Sequence, residues 1–190
     1  AIQINPDYIK AHGNLGITFY KLGKFQEAIK SHEKVLEIYP KHVNSLNLLG
    51  VIYGQLREFE KAKIYHEKAI KLNPEDIDAN LSLGILLFKM SNFKKGFEQY
   101  EWRKKSPINK DIIKKITGTE WQGEDLKNKT ILILSEQGWG TIIQFSRYLY
   151  LIEKEYSAKI IFKTNKRLKY LFSESRFKVI SDEDNIPKYD

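Results

Sequence analysis

Apolar positions in the first half of the chain recur at helical spacing: Leu15, Phe19 and Leu22, then Phe25, Ala28, Ile29 and Val35. Shifted by 34 residues, the pattern falls on itself. Leu15, Leu49 and Leu83 align, as do Gly16, Gly50 and Gly84, Phe25, Phe59 and Phe93, and Pro6, Pro40 and Pro74. Phe19 and Tyr53 align with Leu87, Ala28 and Ala62 with Gly96, and His32 and His66 with Tyr100. This predicts helical hairpins over residues 9–42, 43–76 and 77–105, six helices in all, with Leu49, Tyr53, Phe59 and Ala62 buried. Gly16 and Ala28 are small where two helices meet. Gly23 stands where the first helix stops, because glycine accepts a left-handed cap. Pro40 and Pro74 end the second helix of a pair, since proline lacks the donor and clashes with the turn before it.

The period changes after Pro107. Residues 108–129 read as a linker with one short helix, Asp111 to Ile116. Thr130 to Ser135 is a β-branched and leucine run, as in a buried parallel strand. A tight turn over Glu136 to Gly140 follows, then a helix from Ile142 to Glu155. A second strand spans Lys159–Lys163, a helix Arg167–Phe172, and a third strand Phe177–Ile180. Strand, helix, strand, helix, strand is the first half of a doubly wound parallel sheet. The expected fold class is therefore α helical hairpins over 1–107, followed over 130–190 by an incomplete doubly wound α/β sheet. Three strands are few for such a sheet. Pro6 lies one period before Pro40, and the chain opens on Ala1. Both ends are expected to be internal to a longer protein.

Composition narrows the function. The chain has 190 residues, 42% hydrophobic and 29% charged, which is globular. No cysteine is present, so disulfides, thiol nucleophiles and zinc-thiolate sites are excluded. Apolar runs such as Thr130 to Leu134 fall far short of the roughly 20 residues that span a bilayer. No signal peptide is visible, and a cytoplasmic location follows, with a peripheral place on an anionic membrane face as the variant. The net charge of +8 is spread over both halves rather than gathered into an aromatic-studded stripe, so no nucleic-acid partner is expected. His12, His32, His42 and His66 show no ligand spacing, so neither metal nor cofactor is expected. The repeated His32 and His66 read as packing residues.

The repeated residues resemble the tetratricopeptide repeat, closely over 9–42 and 43–76 and more loosely over 77–105. The third unit departs at Gly96, at Arg103 and in its missing phased proline, so its second helix should pack on something other than another repeat. The resemblance implies a concave face, lined by the first helix of each pair, that binds a protein or extended peptide. That face would carry Lys10, Gly13, Ile17, Tyr20 and Lys21, then Asn44, Asn47, Val51, Gly54 and Gln55, then Asp78, Leu81, Ile85, Phe88 and Lys89. The carboxylate-clamp positions of chaperone-binding members hold Gly13, Ile17, Leu48, Asp78 and Ser82, which argues against that mode. The asparagine-ladder positions hold Asn14, Leu48 and Ser82, so no ladder is formed.

The turn after the first strand is where α/β sheets place ligands. A dinucleotide fingerprint is incomplete, because Ile143 takes the third glycine's place and Lys163-Thr164 closes the second strand. A phosphate-binding G-x4-G-K-S/T loop is absent. Four segments run in a familiar order: Gly96 to Arg103, Trp121 to Leu126, Ile131 to Gly140 and Ile143 to Tyr148. They resemble bacterial tetratricopeptide proteins whose carboxyl half is similar to heptosyltransferase-type glycosyltransferases. The resemblance implies a ligand site at Glu136, Gln137, Gly138, Gly140, Thr141, Gln144 and Arg147, facing a sugar or glycan acceptor. Thr141 stands where the family has an aspartate base, and its hydroxyl is too weakly acidic for that role. Glu136 is the nearest carboxylate. The nucleotide-sugar domain of the family has no counterpart, so the chain alone is expected to be inactive. The parent protein would glycosylate an envelope glycan or a protein docked on the repeats. The alternative is a non-catalytic interaction scaffold with a degenerate α/β cap.

Overall fold

The hairpins begin and end on a 34-residue beat that the backbone makes visible. In the computed structural model, which describes residues 5–114, 116–136 and 138–190 apart from the side chains of 108, 111 and 112, six helices follow in order. They are α1 (Ile9–Lys21), α2 (Phe25–Ile38), α3 (Val43–Gln55), α4 (Phe59–Leu72), α5 (Ile77–Lys89) and α6 (Phe93–Tyr100). The N-caps of the first helices fall at Tyr8, His42 and Asp76. His42 and Asp76 each accept a hydrogen bond from a backbone N–H three residues on, Ser45 and Ala79, while Tyr8 makes no side-chain cap. The first helices all end on a left-handed residue: Gly23 at φ 72°, Arg57 at 63° and Ser91 at 59°. The next N–H then returns to the helix, from Lys24 to Phe19 O, Glu58 to Tyr53 O and Asn92 to Leu87 O, each at 2.9 Å.

The core of these pairs is Ala28, Ile29, Leu49, Ile52, Tyr53, Ala62 and Leu86, with Leu49, Tyr53 and Ala62 where the repeat pattern placed them. Phe59, expected inside, is only half-buried and packs at the edge of this cluster. The small residue at the glycine position serves a side chain in two of the three units. A Cβ on Gly16 would lie 2.6 Å from His32 Nε2, and one on Gly50 2.6 Å from His66 Cε1. In the third unit the backbones themselves close up, with Tyr100 N 3.1 Å and Gly96 O 3.3 Å from a Cβ on Gly84. A Cβ on Gly96 would in turn lie 2.6 Å from the Phe88 ring. The third pair thus closes on backbone where the other two close on a histidine ring. After α6 the chain tightens into a 3-10 turn over Glu101–Lys105 and then forms α7 (Pro107–Ile113). The short helix expected at Asp111 to Ile116 therefore starts four residues earlier. Proline suits a first helical position, and Lys110 N bonds Ser106 O at 2.9 Å.

The chain divides into two compact units, Ala1–Ile113 and Lys114–Asp190. The second holds β1 (Thr130–Leu134), α8 (Trp139–Tyr156), β2 (Lys159–Thr164), α9 (Lys166–Lys169), a 3-10 turn over Tyr170–Phe172 and β3 (Lys178–Ser181). The strands form one parallel sheet in the order β1-β2-β3, with Thr130 opposite Lys159 and Ile161 opposite Lys178. Ile160 and Phe162 pack with Ile142 and Leu149 of α8, with Leu168 of α9, and with Phe172 and Phe177. Ile131, Ile133 and Val179 flank this cluster. Both crossover helices thus lie on one sheet face. The opposite face carries Leu132, Leu134, Ile161 and Ile180 among Lys159, Lys163 and Lys178, by the alternation of strand side chains. A three-stranded parallel sheet is present; helices on its second face are not seen among the described residues. Among those residues, no helix is long and apolar enough to cross a membrane.

Helix α8 starts at Trp139, not Ile142. The glycine pair at 138 and 140 reads as a turn in sequence. In the structure Gly138 is the N-cap and its carbonyl receives Ile142 N at 3.1 Å, so Gly140 and Thr141 are already in the first helical turn.

Candidate functional site

The first helices of the second and third pairs, α3 and α5, lie side by side and frame a groove of about 260 Å3. Gly50, Val51, Gly54 and Gln55 line it from α3. Ser82, Ile85, Leu86 and Lys89 line it from α5, and His66 of α4 completes it. Two of the α3 lining positions are glycine. Gly50 must stay bare to admit the His66 ring, while a Cβ on Gly54 would meet Leu86 Cδ1 at 3.6 Å, an ordinary contact. Ile85 at the rim is 48% exposed, an apolar side chain with no covering element.

His66 is fixed and neutral. Its Nδ1 lies 2.8 Å from Asn47 Oδ1, so Nδ1–H donates and Nε2 is left as an acceptor. Burial pushes its pKa down to about 4. His32 has the same place one repeat earlier, with Nδ1 3.1 Å from Ser45 Oγ. Its pKa is also lowered to about 4, first by burial and then by His42. These histidines serve packing, and among the described residues no three His, Asp or Glu side chains come together as a metal site.

The groove brings together Val51, Gln55 and Ile85 of the expected face, with Gly54 and Lys89. Lys10, Lys21, Asn44 and Asp78 are exposed on the same set of helices, and Ile17 and Leu81 are half-buried. Three others are engaged in packing. Asn47 holds His66, Tyr20 lies against Phe25 with ring centroids 6.0 Å apart, and Phe88 meets Phe97 at 4.9 Å and Tyr100 at 5.7 Å. Gly50, Ser82, Leu86 and His66 were not foreseen as groove residues. The repeated glycine and histidine positions were the available signal for two of them.

The residues after β1 are more dispersed. Glu136, Gly138, Gly140, Thr141, Gln144 and Arg147 are all exposed, and Gln137 lies outside the described residues. Arg147 donates to Tyr148 Oη at 3.2 Å and its guanidinium sits 5.0 Å from that ring. Two cavities of this unit are lined by other residues.

The family model for the tetratricopeptide repeat matches residues 7–75. No curated protein matches the chain. Among solved structures, a crystal structure of MamA superposes with a TM-score of 0.51 at 18% identity, covering 60% of this chain and 66% of MamA. A second, "MamA MSR-1 C2", gives 0.46 at 25% identity over 53% of this chain and 58% of its own. The first tetratricopeptide domain of Spaghetti (RPAP3), solved with the HSP90 peptide SRMEEVD, gives 0.49 at 20% identity, covering 56% of this chain and 88% of that one. The chain thus spans less than two thirds of either MamA structure. Residues 7–75 are tetratricopeptide repeats, and the likeness to MamA is one of fold.

Proposed function

We propose that the repeat unit is an interaction scaffold that docks an extended segment of a partner protein along α3 and α5. The observation that carries this reading is the groove itself. Its α3 wall carries no side chain at Gly54, Val51 and Leu86 supply apolar surface, and Ile85 stands exposed beside it. An apolar side chain of the partner fills the groove, and Gln55, Ser82 and Lys89 at its border meet the partner's main chain and polar groups. Selection from a displayed peptide library on the intact chain tests this. Selected peptides are expected to lose at least about tenfold in affinity for Ile85→Glu, since a charge at an apolar contact is costly. Equal affinity for the variant would contradict the proposal.

The second unit supports a further reading, as the beginning of a glycosyltransferase-like domain with a doubly wound sheet. Its support is the linked parallel order β1-β2-β3 together with the start of α8 at Trp139, capped by Gly138, a few residues after β1. In that reading the parent protein glycosylates an envelope glycan or the docked partner, with Glu136, Gln137, Gly138, Gly140, Thr141, Gln144 and Arg147 on the acceptor side. Thr141 in the place of the family's aspartate leaves this chain without the base. Titration of the isolated chain with nucleotide sugars should give no heat. Micromolar binding, about −8 kcal/mol, would place a donor site here and overturn that division of labour.

A further inference from the structure

Two cavities of the second unit, which share Phe177 in their linings, differ in charge. The first, about 430 Å3, is lined by Lys166, Lys169, Ser181, Glu183 and Asp184 among others. Its lysines are matched one to one: Lys166 Nζ lies 2.7 Å from Glu183 and Lys169 Nζ 2.7 Å from Asp184. The second, about 370 Å3, lies at the amino ends, where Thr130, Lys159 and Lys178 open β1, β2 and β3. Four cations line it, Lys159, Arg176, Lys178 and Lys188, against a single lining carboxylate, Glu153.

Glu153 is already taken. Arg176 Nε lies 2.6 Å from its Oε2, and the guanidinium also sits 5.5 Å from the Tyr150 ring. The other acid at this end, Asp190, accepts from Thr130 N at 2.6 Å. Lys159, Lys178 and Lys188 make no ion pair among the described residues. Lys159 and Lys178 share one sheet face on neighbouring strands. Lys178 is opposite Ile161, two residues beyond Lys159, so the two are diagonal neighbours roughly 7–8 Å apart. Their long stems can bring both ammonium groups onto one anion. Ile161, on the same face, and Pro187 give the cavity apolar surface beside them.

We propose that this cavity binds a small organic phosphate ester, its dianion held by Lys159, Lys178 and Lys188 and its organic body lying on Pro187. Three unmatched cations suit a doubly charged group with three acceptor oxygens better than a carboxylate. The apolar wall favours an ester over the bare ion.

Amide NMR titration of the intact chain at low salt, with inorganic phosphate and with phenyl phosphate, tests the assignment. Saturable shifts are expected at Thr130, Lys159, Lys178 and Lys188, with phenyl phosphate at least about threefold tighter and a Kd near 1 mM or below. The double variant Lys159→Gln, Lys178→Gln should weaken both probes by about tenfold, while Lys154→Gln, on the exposed end of α8, should leave them unchanged. Three results would overturn the proposal: no saturable shift, shifts scattered over lysines throughout the chain, or equal weakening by Lys154→Gln.

Discussion

The histidine and glycine pairs show how single residues set the spacing of the repeats. His66 fills the space that Gly50 leaves, so Gly50→Ala forces the ring to move from a Cβ only 2.6 Å away. A loss of about 1–3 kcal/mol is expected, as for other overpacked cores. Gly54→Ala, one turn further on, meets Leu86 at 3.6 Å and should instead stabilise the helix by up to about 1 kcal/mol. Urea unfolding midpoints of the two variants separate these cases, and a matching loss for both would refute the distinction. Acid acts on the same pairs. In the folded chain His32 and His66 have pKa values of about 4, below the ordinary 6.5. Between those values the unfolded chain binds more protons. The stability they contribute is therefore complete above pH 6.5 and declines as pH falls toward 4, by up to about 1.4 kcal/mol per pH unit for each histidine. Unfolding midpoints measured from pH 7.5 to 4.5 should drop steeply for the native chain and less for the His32→Gln, His66→Gln double variant. Parallel curves would mean the acid sensitivity lies elsewhere. The sequence marked these positions as repeated and large, but not which glycine each ring would cover, because that contact joins residues 16 apart.

At the scale of elements, helix ends were legible where their chemistry is local and repeated. Gly23 announced the stop of α1, yet Arg57 and Ser91 adopt the same left-handed turn without announcing it. There the repeat imposes a conformation that costs a side-chain-bearing residue roughly 1–2 kcal/mol. Ser91→Gly and Arg57→Gly should recover part of that, about 0.5–1 kcal/mol each, seen as higher melting temperatures. A fall in both would mean their side chains contribute more than the turn costs. Pattern reading failed at α7 and α8 for a related reason. Ser106-Pro107 and Gly138-Trp-Gly140 look like chain breaks, whereas a proline in the first turn and a glycine at the cap start helices as readily as they stop them.

For the whole molecule, periodicity carried the most information. A 34-residue beat fixed three pairs, their core and the helices that line one face. It could not show that Asn47, Tyr20 and Phe88 turn into the packing, since that depends on partners in other helices. The sheet was equally legible as alternating strands and helices, because fully apolar strands such as Thr130–Leu134 mark parallel pairing. The proposed acceptor residues after β1 had only a short motif behind them, and those that the structure describes are exposed, most of them along α8. The account therefore rests on the α3–α5 face. Amide hydrogen exchange of the intact chain, with and without the tightest library-selected peptide, tests it directly. The account predicts added protection in Val51–Gln55 and Ser82–Lys89 and none on the outer helices α2 and α6. Protection confined to α2 and α6, or to the sheet unit, would contradict it.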